Sequence, residues 1–165
     1  MGNIYLTCKD GQQISAYEAR PEGECRGAVV VVQEVFGVNS HIRSVADGYA
    51  KRGYYAIAPA IFDRIEAGVE LGYESDDLDR GVELAFEKLD MSTTLADLQA
   101  AIDHALEFGK VGMVGYCFGG LLTWLSACQL EHLSAASAYN VGGIPYQPDM
   151  TPGCPLILHI SELDS

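Results

Sequence analysis

The chain has 165 residues, 48% hydrophobic and 20% charged, a balance that suits one compact domain with a real core and excludes a disordered chain. Twenty-three acidic residues against ten basic ones give a formal net charge of -13, a field that repels nucleic acid and anionic membrane surfaces and so argues against both as partners. No run approaches the roughly 18 to 20 apolar residues of a membrane helix, and the first twenty residues lack a basic start followed by an apolar stretch, so a cytoplasmic protein is expected.

The predicted elements begin with two short strands, Ile4–Thr7 and Gln13–Tyr17, joined through the turn signal Asp10-Gly11 into an antiparallel hairpin. A polar loop from Pro21 to Gly27 leads to Ala28–Val32, a β-branched run that is apolar on both faces and therefore suits a central strand covered by helices on either side. Asn39-Ser40 can cap a helix in which Ile42, Val45, Ala46, Tyr49 and Ala50 repeat at helical spacing and which Gly53 ends. Tyr54–Ala58 reads as a strand. The acidic stretch from Glu74 to Asp79 can seat a helix N-terminus, and helices are predicted over Asp79–Leu89 and Thr94–Leu106, the second with Leu95, Leu98, Ile102 and Leu106 on one stripe. After Gly109 come a strand at Val111–Val114, a helix over Phe118–Gln129 and strands at Ala135–Tyr139 and Leu156–Ile160.

Strand and helix thus alternate with crossovers long enough for parallel pairing. The expected class is α/β: a single domain over 1–165 with a doubly wound, mostly parallel sheet and an antiparallel N-terminal hairpin.

Five cysteines, at 8, 25, 117, 128 and 154, are scattered and odd in number, which spells neither a disulfide framework nor a zinc-binding spacing. One of them has a distinctive context. Gly115-Tyr116-Cys117-Phe118-Gly119-Gly120 fits G-x-C-x-G and falls between an apolar strand and an apolar helix. In a nucleophile elbow the central residue sits in a strained turn, and small residues two before and two after let strand and helix approach. The helix N-terminus then favours a thiolate and offers N–H groups to an oxyanion. The competing reading is a glycine-rich turn around a structural cysteine. A phosphate loop is disfavoured, because neither G-x-G-x-x-G nor the Lys-Ser/Thr of a P-loop is present. A second candidate is Glu34, at the carboxyl end of the Ala28–Val32 strand, where open parallel sheets bind ligands.

Gln33-Glu34-Val35-Phe36-Gly37-Val38-Asn39, Ala58-Pro59 with Phe62 and Arg64, and Val114-Gly115-Tyr116-Cys117-Phe118-Gly119-Gly120 together resemble the dienelactone hydrolase family of α/β-hydrolases, over nearly the whole chain. The resemblance implies hydrolysis of a carboxylic ester or lactone through a Cys117 nucleophile and an acyl-enzyme. It further implies that Glu34 bonds the resting thiol, that the Val35 and Phe118 N–H groups form the oxyanion hole, and that an acid and a histidine complete a triad. Asp164 is the expected acid, with Glu162 competing, because nucleophile, acid and histidine follow in that chain order. Such chemistry needs no metal or cofactor, since thiol and oxyanion hole carry it.

The four histidines, His41, His104, His132 and His159, lie in or beside predicted helices and strands, and none suits the base. The chain therefore reads as the N-terminal part of such a fold, lacking the last helix and strand, with the histidine outside it and little turnover expected of the chain alone. Surface left uncovered in that way would favour self-association. The alternatives are an inactive or non-catalytic binding domain, or a thioesterase using the same elbow. Arg64 and Arg80 could face a substrate carboxylate but fit surface charges equally well.

Overall fold

A computed structural model describes residues 1–141 and 150–160. Its strands are β1 (Gly2–Thr7), β2 (Gln13–Ala19), β3 (Ala28–Val32), β4 (Tyr55–Pro59), β5 (Val111–Tyr116), β6 (Leu133–Tyr139) and β7 (Leu156–His159). The helices are α1 (Ser40–Ala50), α2 (Ser75–Val82), α3 (Met91–Ala105) and α4 (Phe118–Gln129). The strands form one sheet in the order β1-β2-β4-β3-β5-β6-β7. β2 pairs antiparallel with β1 and with β4, and every other neighbouring pair is parallel. The mostly parallel sheet with an antiparallel hairpin at one edge is the expected class.

All five residues of β3 are buried, as its unbroken apolar run requires. Alternate residues serve opposite faces. Val29 and Val31 pack with Ile42, Ala46 and Ala50 of α1, whereas Val30 and Val32 join Leu98 and Ile102 of α3 and Leu122 of α4 on the other side. α1 starts as predicted, with the Asn39 side chain accepting from the His41 and Ile42 N–H groups at 3.1 and 3.2 Å. The Asp10-Gly11 turn also forms, with Gly11 at φ 85° and its N–H bonded to the Cys8 carbonyl at 2.9 Å.

Two predicted helices shift. The one expected over Asp79–Leu89 begins at Ser75, where Asp76 and Asp77 sit in its first turn, and it widens into a π-helical stretch from Glu83 to Lys88. α3 stops at Ala105. A 3-10 turn over Leu106–Phe108 then carries Leu106 off the apolar stripe to 40% exposure, and Ala101 and Ala105 continue the buried face in its place.

Arg64 is no free surface charge. Its Nε and Nη2 donate to the two carboxylate oxygens of Asp97, both at 2.6 Å, and its Nη1 and Nη2 reach Asp10 at 2.8 and 3.2 Å. Asp97 is fully buried, so this fork ties α3 to the hairpin turn and to the segment after β4. Asp97→Asn is expected to cost about 3 kcal/mol, because a largely buried guanidinium would lose half of its neutralising charge. An unchanged urea unfolding midpoint would contradict this.

Candidate active site

The sheet changes winding direction between β3 and β5. From β3 the chain crosses through α1 to β4 on one side, and from β5 it crosses through α4 to β6 on the other. Such a switch point leaves a crevice at the carboxyl ends of the two strands. The register sets what stands at its rim. Val32 of β3 is the partner of Gly115 of β5, so in this parallel pair Glu34 and Cys117 each stand two residues beyond a matched position. The register thereby sets two of the residues singled out in the sequence, 83 positions apart, just past the same end of adjacent strands.

Cys117 is exposed and occupies φ 54°, ψ -118°, a backbone region that non-glycine residues rarely adopt. The surroundings hold it there. Its N–H donates to the Tyr139 carbonyl at 3.0 Å, and its own carbonyl accepts from Gly120 and Leu121 at 2.9 and 3.2 Å. The neighbouring glycines are needed for space. A methyl group on Gly115 would lie 2.0 Å from the Gly119 carbonyl oxygen, one on Gly119 would lie 2.4 Å from the carbonyl oxygens of both Val32 and Gln33, and one on Gly120 would lie 2.6 Å from that of Tyr139. The elbow is thus wedged between the ends of β3 and β6, and the glycine spacing has a steric cause.

Phe118 is the first residue of α4, so the helix does not use its N–H. Its ring is buried edge-on against Phe86, with centroids 5.1 Å apart. Val35 is buried on the other side of the crevice, its carbonyl pressed by α2, where a methyl group on Gly81 would come within 2.2 Å.

The half-buried Glu34 carboxylate accepts a hydrogen bond from the Tyr73 hydroxyl at 2.8 Å. Gln33 before it is fully buried: its Oε1 accepts from the Ile61 N–H at 3.2 Å and its Nε2 donates to the Glu34 carbonyl at 3.3 Å. Neither Tyr73 nor Gln33 was expected as part of the site. For Gln33 a signal existed, a polar side chain directly after five apolar strand residues. For Tyr73 there was none, because it lies 39 residues from the carboxylate it meets.

Three of the other thiols are held protonated by their surroundings. Burial and the neighbouring Asp97 push Cys8 up to about 12, and burial raises Cys128 and Cys154 as well. Such thiols are poor nucleophiles at neutral pH. Burial, with Tyr49, Tyr139 and Glu34 as neighbours, also raises the Tyr116 phenol to about 12. Its ring stacks on Tyr139, which stacks on His159 at 4.0 Å.

Asp164 and Glu162 lie outside the described residues. Of the histidines, His104 is engaged with the Tyr55 hydroxyl at 3.1 Å, and His41 stands edge-on to Tyr116 at 6.4 Å. Arg64 is committed to the buried Asp97, whereas Arg80 pairs with Glu66 at the surface, where both side chains are about half exposed. Among the described residues no group of three or more His, Cys, Asp or Glu could hold a metal ion, and no helix is long and apolar enough to cross a membrane. A groove of about 590 Å³ between β1 and α3, lined by Tyr5, Lys9, Gln99, Asp103 and His104 among others, contains none of the elbow residues.

Known proteins share this arrangement of sequence and fold. The model of the dienelactone hydrolase family matches residues 14–165. A carboxymethylenebutenolidase-like protein of Synechocystis sp. is 38% identical over 140 residues, covering 81% of this chain and 56% of that protein. A carboxymethylenebutenolidase of Pseudomonas putida is 32% identical over 143 residues, covering 84% and 61%. The crystal structure of a dienelactone hydrolase-like protein of Klebsiella pneumoniae superposes with a TM-score of 0.76 at 29% identity, over 95% of this chain and 70% of that one. The chain therefore spans a little over half the length of these curated relatives. With the family model matched from β2 onward and the elbow at the sheet's switch point, the chain belongs to the dienelactone hydrolase family.

Proposed function

We propose that this chain carries the acylation machinery of a carboxylic ester or lactone hydrolase, with Cys117 as nucleophile. The observation that carries the reading is Cys117 itself: exposed, held at positive φ on the N-terminus of α4, and following a strand paired with the one that leads to Glu34. In the step envisaged, the S–H proton passes to the Glu34 carboxylate while the sulfur electron pair forms a bond to the substrate carbonyl carbon. The carbonyl π pair moves onto oxygen, which the backbone N–H groups of Val35 and Phe118 receive. Collapse of that intermediate expels the alkoxide and leaves a thioester on Cys117. The relatives' names support an enol-lactone as substrate, where the group expelled is an enolate that stays tethered to the acyl group.

Deacylation by water calls for a histidine held by an acid. Asp164 takes the acid's role in this reading, and no histidine of this chain is assigned as the base. The reaction uses no metal or cofactor, and the partner is a small ester or lactone. The test is mass spectrometry after incubation with an activated ester: one acyl group is expected, on the peptide carrying Cys117. Acyl groups spread evenly over Cys117, Cys128 and Cys154 would overturn the reading.

A further inference from the structure

The segment between β4 and α2 is fastened to the segment that follows β3. The Leu71 N–H donates to the Phe36 carbonyl at 2.8 Å, Asn39 Nδ2 donates to the Leu71 carbonyl at 3.2 Å, and Gly37 and Glu70 form an isolated antiparallel bridge. Contact is close enough that a methyl group on Gly37, at φ 79°, would stand 1.9 Å from the Val69 carbonyl oxygen. Asn39 also caps α1, so the fastening is anchored in a helix.

Tyr73 sits at the end of this fastening. Its ring lies 4.6 Å from that of Phe36, tilted by 57°, and its hydroxyl reaches Oε2 of Glu34 at 2.8 Å. The side chain is 59% exposed, so the bond competes with water and depends on the loop being held. Partial desolvation and the adjacent carboxylate raise the phenol above its ordinary value, so it stays a donor well above neutral pH.

We propose that Tyr73 is a positioning residue for Glu34: by committing one carboxylate oxygen to the phenol, it fixes the plane in which the other meets the Cys117 thiol. The role rests on the reading of Glu34 as the acceptor of that proton. Tyr73 touches no reacting atom. Its effect on acylation passes through the carboxylate, and a geometry set this way acts on the rate of proton transfer and not on ester binding.

The test is a double-mutant cycle on the pre-steady-state burst of p-nitrophenolate from a p-nitrophenyl ester, using the full chain. Tyr73→Phe keeps the ring on Phe36 and removes only the hydroxyl. It is expected to slow the burst roughly three- to tenfold, with the ester concentration giving half-maximal rate unchanged. In the E34Q background the same change is expected to do nothing further, since the group it acts through is gone. An equal loss in both backgrounds, a loss in neither, or a loss expressed in the half-saturating concentration would overturn the inference while leaving Cys117 in place. If E34Q alone left the burst rate unaltered, the acceptor role of Glu34 would fall and this proposal with it.

Discussion

Cys117→Ala is expected to lower the burst of p-nitrophenolate from a p-nitrophenyl ester by at least about a thousandfold, whereas Cys128→Ala leaves it within about twofold. The contrast follows from the surroundings of the two thiols. Cys117 is exposed at the N-terminus of α4, where the first-turn amides and the helix dipole favour negative charge. Cys128 is half-buried near the other end of the same helix, and burial raises its thiol. A thiol held protonated is a weak nucleophile, and a carbonyl beside it would meet no converging N–H groups. Stopped-flow absorbance of the released nitrophenolate reads both variants. A burst surviving in C117A, or lost in C128A, would place the chemistry elsewhere.

Gly119→Ala is expected to destabilise the fold by about 3 kcal/mol or more, or to leave it unable to fold. The added methyl would sit 2.4 Å from two backbone carbonyl oxygens, those of Val32 and Gln33. No rotamer change can relieve a clash with backbone. Either α4 must lift away from the sheet, uncovering Leu122, Val30 and Val32, or the end of β3 must shift and carry Glu34 with it. Gly2→Ala in β1 meets nothing within 4 Å and serves as the control. Urea unfolding monitored by far-UV circular dichroism compares the two. Coincident midpoints would mean that the elbow is not wedged against β3.

Much of the fold was legible because its signals are local. Ala28–Val32 is apolar at every position, and a strand with no polar face has to be covered on both sides, which already implies helices on both faces of a parallel sheet. Asn39 before an amphipathic run announced α1, and Asp10-Gly11 announced the hairpin. The elbow was readable for a similar reason: three glycines around one cysteine at the end of an apolar strand leave few conformations that need all of them. At the end of α3 a local pattern meets a tertiary demand. Leu106 has the spacing of a buried residue, but the chain tightens into a 3-10 turn before Gly109, at φ 118°, and turns it outward.

Local sequence accounts for the strand and helix alternation, the turn that carries Cys117 and the acid at the end of β3, because each depends on residues within a few positions of one another. Only the tertiary structure settles that the strands leading to Glu34 and Cys117 are neighbours, that Tyr73 reaches Glu34, and that Arg64 is spent on the buried Asp97. Those outcomes rest on strand order, register and loop docking. Such relations join residues 33 to 83 positions apart, and no periodicity along the chain encodes them.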